Sequence, residues 1–334
     1  MTLAQLKAFA AVARLGSVKA AAVELGISEP AVSLAVGALR RHLGDALYVR
    51  EGRTVVLTQG GRRLVGLAGE MIGLAEQARR SVGEARGGPG LLRVAATSTV
   101  AEHVAVPLLD AFTDRTPNLE AAVEVEPAPR FADLLEHRRA DIALGPRPSP
   151  DSASSVVAVP FLRCRLVLVA GPHHRLAGRH DIAPRALATE RWLVGPGGAD
   201  SSSPTGQYFE RQRIAPDDVR AFPSDAAALA AVSADEGVML ALVHAVVDDV
   251  RRRAVARLDV RGTPFADLWY ATTLGPERSL PGALALQRFA TTPQATQAVT
   301  TRQHGVPASH VRPFMHVTLW SGVARAASTT RTTL

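Results

Sequence analysis

Residues 17–43, SVKAAAVELGISEPAVSLAVGALRRHL, constrain the fold more than any other stretch, because they suit two short helices joined by a tight turn. Ser17 and Ser28 are placed to cap helix N-termini, since a serine hydroxyl accepts a hydrogen bond from a free backbone N–H. Gly26 lies where a left-handed residue ends the first helix. Pro30 falls in the first turn of the second helix, where a missing N–H costs little. The pattern therefore predicts a helix-turn-helix.

The second predicted helix has an apolar face and an outward face. Val32, Val36, Leu39 and Leu43 recur at helical spacing and are expected to face the core. The outward face is small, polar and basic, which suits a helix that enters the DNA major groove, although a helical hairpin with a solvated face shows the same pattern. The predicted DNA-contacting residues of this helix are Ser28, Glu29, Pro30, Ser33, Leu34, Arg40 and Arg41.

A short hairpin is predicted directly after these helices. Residues 47–49 and 54–57 suit two strands, and Glu51-Gly52-Arg53 suits the turn between them. Such a hairpin forms the wing of a winged helix. Arg50 and Arg53 are then placed to reach backbone phosphates of DNA.

Residues 1–61 resemble the winged helix-turn-helix of LysR-type transcriptional regulators. The sequence departs from the family pattern in two places. Glu29 stands where the family usually has Gln, and Leu34-Ala35 stands where it usually has a polar or basic pair. Both departures fall on the surface predicted to face DNA. The residues that carry the resemblance are Phe9, Val12, Gly16, Ser17, Ala20, Ala21, Leu25, Ser28, Pro30, Ala31, Val32, Ser33, Leu39, Leu43, Gly44, Leu47, Arg50, Leu57, Thr58 and Gly61.

Charge and composition agree with a nucleic-acid partner. The chain has 334 residues and a formal net charge of +7, and its first 90 residues hold 12 Lys or Arg against 7 Asp or Glu. Such a local excess favours a polyanion, and double-stranded DNA fits better than a membrane because no basic amphipathic helix is evident. The chain also lacks a signal-peptide pattern and any run of about 18 apolar residues. With Cys164 as its only cysteine, it is expected in the reducing cytoplasm.

Residues 58–86 suit one long helix that links the winged helix to the rest of the chain. Apolar residues recur along it with the spacing of a coiled-coil seam. The resemblance to LysR-type regulators implies that this helix holds two copies of the chain together, and that a tetramer forms from such dimers. Residues 87–90 are rich in glycine and suit a hinge. The predicted dimer contacts are Leu64, Leu67, Met71, Leu74 and Ala78.

From residue 91 to about residue 290, strand and helix patterns alternate. The elements predicted there include helices over residues 100–113 and 182–188 and a strand over residues 166–169. This order predicts an α/β fold of two doubly wound units, the architecture of two-lobed periplasmic-binding-protein-like effector domains. The family resemblance extends through this region. The predicted organisation is therefore a winged helix-turn-helix (1–61), a linker helix and hinge (62–90), an effector-binding domain (91–290) and a partly disordered C-terminal extension (291–334). Within this extension a helix is predicted over residues 291–303 and a strand over residues 313–320, and the chain from residue 321 is expected to be disordered.

Three loops at the predicted C-terminal ends of strands are rich in hydrogen-bond donors, and ligands bind at that edge of doubly wound sheets. Helix capping is the commoner role of serine and threonine at such positions, and remains an alternative for each. We expect a small polar or anionic effector, because free N–H groups at helix N-termini favour negative charge. The predicted effector contacts are Ser98, Thr99, Arg130, Arg147, Ser201, Ser202, Ser203 and Ser224.

Other chemistries find little support in the sequence. His173, His174 and His180 share no helical or strand face, so no metal site is predicted. No nucleophile elbow, phosphate loop or dinucleotide fingerprint occurs, so neither an enzyme nor a cofactor is expected. A redox role for Cys164 is disfavoured by its apolar surroundings. The leading hypothesis is a LysR-type regulator of nearby genes, and the alternative is a two-lobed solute-binding protein without a DNA role.

Overall fold

The computed structural model describes residues 1–51, 54–116, 118–148, 155–300 and 316–318. Three helices and a hairpin come first, a long helix follows, and an α/β domain completes the described part of the chain. The N-terminal elements are α1 Leu3–Leu15, α2 Val18–Leu25, α3 Glu29–Leu43, β1 Tyr48–Glu51, β2 Thr54–Leu57 and α4 Gln59–Ala85.

Side-chain caps and a left-handed glycine define the helix-turn-helix as predicted. Ser17 and Ser28 each accept a hydrogen bond, 3.3 Å long, from the N–H three residues further on. Gly26 ends α2 with a φ of +65°, a conformation that only glycine adopts at little cost. The start and end of α2 are therefore fixed by local chemistry before any tertiary packing.

Helices α1 to α3 and the wing bury one apolar core. Leu43 is exposed, so the buried stripe of α3 ends at Leu39 and not one turn later as predicted. The reason is that α3 stops at the left-handed Gly44, where the chain turns into the wing. The main members of this core are Leu6, Phe9, Val12, Val18, Ala21, Val32, Val36, Leu39, Leu47 and Tyr48.

The predicted wing is a two-stranded antiparallel hairpin. Its register pairs Tyr48 with Leu57 and Glu51 with Thr54. The first strand starts at Tyr48, because Leu47 has a φ of +60° and its side chain enters the core. Residues 52 and 53, at the predicted turn, lie outside the described residues.

Helix α4 is the predicted linker helix. It contains 27 residues and is therefore about 40 Å long at 1.5 Å per residue. The Thr58 hydroxyl caps it by accepting a 2.9 Å hydrogen bond from the N–H of Gly61. The helix ends before Gly87, which has a φ of +86° and lies in the predicted hinge.

One face of α4 packs closely against the α/β domain of the same chain. A Cβ added to Gly69 would lie 2.2 Å from His137 Cδ2, and one added to Gly73 would lie 2.5 Å from Arg138 Cβ. Ion pairs flank this contact, including one between Glu70 and Arg278. The two glycines thus permit a backbone approach that a larger side chain would prevent.

The opposite side of α4 carries apolar side chains exposed to solvent. Leu67, Met71 and Leu74 are 54%, 41% and 44% exposed, and Ala78 and Val82 continue the row. At about 100° per residue, this exposed apolar face lies across the helix from Gly69 and Gly73. Leu64, which the sequence places in the same row, instead packs on the N-terminal core.

The α/β domain follows α4, and its described residues form one sheet of ten strands. The elements are β3 Gly90–Ala96, α5 Ser98–Val100, α6 Val106–Thr113, β4 Leu119–Val125, α7 Phe131–Glu136, β5 Ile142–Gly145, β6 Val156–Ala170, β7 Arg191–Val194, α8 Pro204–Gln212, β8 Asp218–Ala221, α9 Asp225–Ser233, β9 Val238–Leu242, α10 Val243–Arg251, β10 Ala256–Arg257, β11 Phe265–Leu274, α11 Pro281–Ala290, α12 Pro293–Thr300 and β12 His316–Thr318. The strand order of the sheet is β12-β4-β3-β5-β11-β6-β9-β7-β8, with β10 paired to β6.

Two groups of parallel strands give the domain two lobes. The first lobe holds β12, β4, β3 and β5, and the second holds β9, β7 and β8. Strands β6 and β11 are antiparallel to each other and lie between the two groups. The predicted α/β class and two lobes are confirmed, but the two units are parts of one continuous sheet.

Three local expectations differ from the structure. The helix predicted over residues 100–113 begins at Ser98 and contains a π-helical turn, Ala101–Ala105, just before Pro107, whose ring and missing N–H disturb regular pairing. The helix predicted over residues 182–188 is only a 3₁₀ turn, Pro184–Leu187. Helix α10 was not predicted, because its sequence continues the apolar run of β9.

Part of the C-terminal extension joins the α/β domain. Helix α12 lies within the helix predicted over residues 291–303, and β12 lies within the strand predicted over residues 313–320. Strand β12 pairs in parallel with β4, His316 opposite Ala122. The predicted disordered tail, from residue 321, lies outside the described residues.

Within the described part of the chain, no single helix is long and apolar enough to cross a membrane. Helices α2 and α3 meet the length and composition requirement only as a pair, and that pair is bent by 107°. Both helices contribute buried residues to the N-terminal core.

Alanine substitutions at two glycines of α4 should change the stability of the protein in opposite directions, because Gly73 lies in the contact with the α/β domain and Gly83 does not. Gly73→Ala places a methyl group against Arg138 and should destabilise the protein by about 1–3 kcal/mol. Gly83→Ala, with no atom within 4 Å of the added Cβ, should stabilise it by about 0.5–1 kcal/mol. Urea unfolding followed by circular dichroism measures both, and a stabilising Gly73→Ala would contradict the contact.

Candidate DNA-binding surface and effector pocket

The outward face of α3 is open to solvent as predicted. Ser28, Glu29, Pro30, Ser33 and Arg41 are all exposed. Leu34, at their centre, is 70% exposed although it is apolar. This face has small side chains and one carboxylate, Glu29, at its front and is basic towards the helix C-terminus. Its small side chains fit a DNA groove.

Arg40 differs from the other predicted contacts of α3. Its Nη2 donates a 2.9 Å hydrogen bond to the carbonyl oxygen of Tyr48, and its guanidinium lies 3.9 Å from the centre of the Tyr48 ring. Both contacts hold α3 against the wing. Arg40 therefore turns towards the hairpin and away from the outward face on which the sequence placed it.

The two wing arginines stay predictions. Arg50 belongs to β1, whose pairing with β2 orients the hairpin beside α3. Arg53 lies outside the described residues.

In the α/β domain, the π-helical turn after α5 contacts the start of α9 through the carboxylate of Glu102, which the sequence pattern did not single out. Glu102 Oε1 accepts hydrogen bonds from the Ser98 hydroxyl, 3.2 Å long, and from the N–H of Asp225, 3.0 Å long. Its Oε2 accepts a 3.2 Å bond from the N–H of Ala226. The chain's own carboxylate thus lies where an anionic effector was expected, at the N-terminus of α9.

Asp225 is the second carboxyl group of this contact between the lobes. It is only 7% exposed, and burial raises its pKa to about 6, with Thr99 opposing this shift through a hydrogen bond and Glu102 adding to it. A Cβ on Gly195 would lie 1.8 Å from Asp225 Oδ1, so the loop after β7 needs glycine there. His103 completes a cluster with Glu102 and Asp225, whose potential ligand atoms lie within 4.8 Å of one another.

A separate pocket opens between the lobes beside β6 and β11. Its volume is about 520 Å³. Of the predicted effector contacts it contains Arg147 and Ser202, and it adds two arginines that the sequence analysis did not select. We call it the arginine pocket, and its lining residues are Pro146, Arg147, Arg163, Ser202, Gln207, Arg211, Ala266, Asp267, Leu268 and Tyr270.

The remaining predicted effector contacts do not line this pocket. The Ser203 hydroxyl caps α8 by accepting a 2.9 Å hydrogen bond from Gly206 N, and the Ser224 hydroxyl caps α9 with a 3.0 Å bond. Ser201 is exposed. Arg130 pairs with Glu126 at 2.8 Å on the first lobe and faces a cavity beside α1 and α4. Helix capping, the alternative considered for the serines, accounts for Ser203 and Ser224.

The histidines and the cysteine have separate surroundings. His174 pairs with Glu190 at 3.2 Å, and His180 lies 3.3 Å from Asp259. Cys164 is buried, and burial raises the pKa of its thiol to about 12. A thiol with so high a pKa forms little thiolate near neutral pH, so it does not suit a peroxide-sensing role.

A winged helix joined by a long helix to a two-lobed domain with a polar pocket defines a ligand-responsive DNA-binding regulator. Family profiles agree: the bacterial regulatory helix-turn-helix of the LysR family matches residues 3–62, and the LysR substrate binding domain matches residues 85–292. Rv0377, an HTH-type transcriptional regulator of Mycobacterium tuberculosis, is 38% identical over 323 residues, 96% of this chain and 100% of the relative. The chain belongs to the LysR family of transcriptional regulators, with a DNA-binding helix-turn-helix domain and an effector-binding domain.

Solved structures share the same fold. ArgP of Mycobacterium tuberculosis aligns with a TM-score of 0.60 and 20% identity, covering 87% of this chain and 96% of ArgP. The LysR-family regulator CbnR in complex with its target DNA aligns with a TM-score of 0.59 and 23% identity, covering 87% of this chain and 99% of CbnR. These similarities extend from the winged helix to the effector-binding domain.

The raised pKa of Asp225 predicts a specific pH dependence of stability. Its folded pKa of about 6 exceeds the ordinary value of 3.8, so the folded state holds a proton that the unfolded state releases. The free energy of unfolding should therefore fall as pH rises from about 4 to above 6, by up to about 3 kcal/mol from this group. Asp225→Asn cannot ionise and should gain stability relative to wild type between pH 4.5 and 7.5.

Urea unfolding at both pH values measures this difference. Asp217→Asn, which neutralises an exposed carboxylate nearby, is the matched control and should keep the wild-type pH dependence. A constant difference between Asp225→Asn and wild type at the two pH values would show that Asp225 ionises normally in the folded protein.

Proposed function

We propose that this regulator binds double-stranded DNA through the outward face of α3, and that an effector bound between the lobes changes how the protein contacts the DNA. The observation that carries the docking proposal is the division of α3 into two faces. Val32, Val36 and Leu39 are buried, whereas Ser33 and Leu34 point to solvent. A helix held by one face and open on the other can enter a major groove without losing its own packing.

The wing supplies a second contact in this proposal. Arg40 ties the hairpin to α3, so groove and backbone contacts would be made by one rigid body. Arg41, exposed in the last turn of α3, and Arg50 and Arg53 of the wing would neutralise phosphates. CbnR, which has the same fold, has been solved with its target DNA, and this supports the proposed mode of docking.

The exposed apolar face of α4 is proposed to pair with the same face of a second copy. Its apolar residues follow the spacing of a coiled-coil seam. A continuous row of exposed apolar side chains marks a surface that another protein chain covers. The other side of α4 is already covered by the α/β domain of its own chain. A dimer paired in this way would present two winged helices to DNA, and such dimers would form the tetramer that the family resemblance implies.

The effector is proposed to be a small polar or anionic molecule held between the lobes. A ligand that contacts both lobes favours the arrangement in which both contacts are made, and this is how binding could alter the DNA-bound dimer. We assign no catalytic role and no cofactor to the chain. A protein that acts on DNA in a bacterium works in the cytoplasm, which is where we place this one. The genes next to its own gene are the proposed targets.

DNA binding is tested with three variants in a mobility-shift titration at several salt concentrations. Arg41→Ala should weaken binding to all sequences alike and lower the salt slope by about one, because one phosphate contact is lost. Leu34→Arg should instead change which sequence is preferred, since it alters the groove-facing surface. The probe is DNA from upstream of the protein's own gene.

Arg79→Ala is the matched control for Arg41→Ala. It removes the same charge from an exposed position of α4, about 30 Å along the helix from the wing. It should leave both the affinity and the salt slope unchanged. Wild-type behaviour of Arg41→Ala and Leu34→Arg together would show that α3 does not dock as proposed.

Dimerisation is tested by Leu67→Glu combined with Leu74→Glu. Charges buried in an apolar interface cost several kcal/mol, so sedimentation should show a smaller species and operator binding should weaken. Val23→Glu is the control, because Val23 is an exposed apolar residue on α2, away from the α4 face. An unchanged oligomer in the double variant would place the interface elsewhere.

A further inference from the structure

We propose that the arginine pocket binds a small dianion, either a dicarboxylate or a phosphate monoester. The inference names the ligand class of the effector site and rests on the proposed role of the space between the lobes. It starts from three guanidinium groups that reach one pocket from three different elements. Arg147 follows β5 of the first lobe, Arg163 lies on β6, and Arg211 lies on α8 of the second lobe.

None of these three arginines has a carboxylate oxygen within 4.0 Å among the residues that the structure describes. Two of them rest on aromatic rings. The guanidinium of Arg147 lies 5.8 Å from the centre of the Tyr270 ring, and that of Arg211 lies 4.8 Å from the centre of the Phe265 ring. Stacking of this kind positions a guanidinium while leaving its N–H groups free to bind an anion.

Asp267 sets the charge of the pocket. Among the described residues it is the only acidic member of the lining, so these residues together carry a net charge of +2 when Asp267 is ionised. Its Oδ1 accepts a 2.8 Å hydrogen bond from the N–H of Leu268, while Oδ2 is buried without a partner. Burial raises the pKa of this carboxyl group, and Arg211 opposes the shift. Two uncompensated positive charges favour a dianion over a monoanion.

The rest of the lining suits a small polar molecule. Ser202 and Gln207 add uncharged polar groups, and Gln207 Nε2 donates a 3.3 Å hydrogen bond to the Ser202 carbonyl oxygen. A volume of about 520 Å³ falls within the range of small-molecule sites. Three basic side chains without an acidic partner among the described residues are available to two anionic groups, since a guanidinium binds a carboxylate or a phosphate through two parallel hydrogen bonds.

The other anion-binding position between the lobes is already filled by the chain itself. The Glu102 carboxylate accepts hydrogen bonds from the first N–H groups of α9, so a ligand there would have to displace Glu102. In the arginine pocket, no carboxylate within the described part of the chain is bonded to a guanidinium group. A dianion bridging Arg147 and Arg211 would also join the first lobe to the second, as an effector must do to change their arrangement.

Calorimetric titration of the full chain tests the inference with four probes. Succinate represents dicarboxylates, glycerol 3-phosphate represents phosphate monoesters, butyrate is the monoanionic control and erythritol the neutral one. At least one dianion should bind tenfold or more tightly than butyrate, and erythritol should not bind. The dianion that binds more tightly distinguishes the two ligand sources.

Four variants locate the binding. Arg163→Gln and Arg211→Gln should each weaken the tighter dianion tenfold or more. Arg165→Gln, which removes the same charge two residues along β6 but outside the pocket, should change it by less than twofold. Asp267→Asn should tighten binding, because it removes the one negative charge of the lining. A purely structural defect would not produce effects of opposite sign.

Equal affinity of wild type for butyrate and both dianions would overturn the inference, as would an Arg163→Gln variant indistinguishable from Arg165→Gln. Circular dichroism of each variant shows whether it is folded, and Arg211→Gln provides the second arginine test. DNA binding of the same preparations is measured in parallel. If the wild-type protein binds DNA but neither dianion, only the ligand class is rejected. If the wild-type protein does not bind DNA, the proposed function itself is rejected.

Discussion

The antiparallel pairing of β6 with β11 is the interaction on which the effector-binding domain depends. The two strands run side by side from Val156 opposite Leu274 to Leu166 opposite Phe265, and they join two otherwise separate groups of parallel strands. The register shifts between Trp269 and Tyr270, where Pro160 offers no N–H to the ladder. Beyond this bulge, Tyr270 is exposed enough to lie under Arg147. The irregularity that a proline imposes on one strand therefore shapes the wall of the arginine pocket.

The parts of the fold that follow from local chemistry could be predicted from the sequence. Ser17, Ser28 and Gly26 define the helix-turn-helix through caps and a left-handed turn, and these depend only on neighbouring residues. Apolar spacing likewise located the strands of both lobes. The full extent of β6 was missed, because Pro160 stands inside the strand and cannot donate to a strand ladder. Arg163 and Arg165 interrupt the continuous apolar run, although their alternation with buried neighbours is that of a half-buried strand.

The candidate sites were only partly predictable, because they depend on contacts between residues that the sequence pattern does not connect. Arg163 and Arg211 are separated by 48 positions in the chain and meet only because α8 packs beside the β6–β11 pair. Glu102 was overlooked because nothing near it in sequence shows that α9, more than 120 residues later, presents its N–H groups to that carboxylate. Arg40 was assigned to the outward face because helical periodicity ignores Tyr48, which attracts its guanidinium. Such contacts are tertiary, and no local pattern encodes them.

Helix α4 has a mechanical consequence. Its two faces are occupied differently, with glycines against the effector-binding domain on one side and apolar side chains on the other. Gly69 and Gly73 lie near the middle of this stiff rod, about 15–20 Å from the end that carries the winged helix. A tilt of about 10° around their contact therefore moves that end by about 3 Å, which is about one base-pair step of DNA. In the proposed dimer, a rotation of this size where the two glycines meet the neighbouring lobe changes the reach of each winged helix by about one base pair.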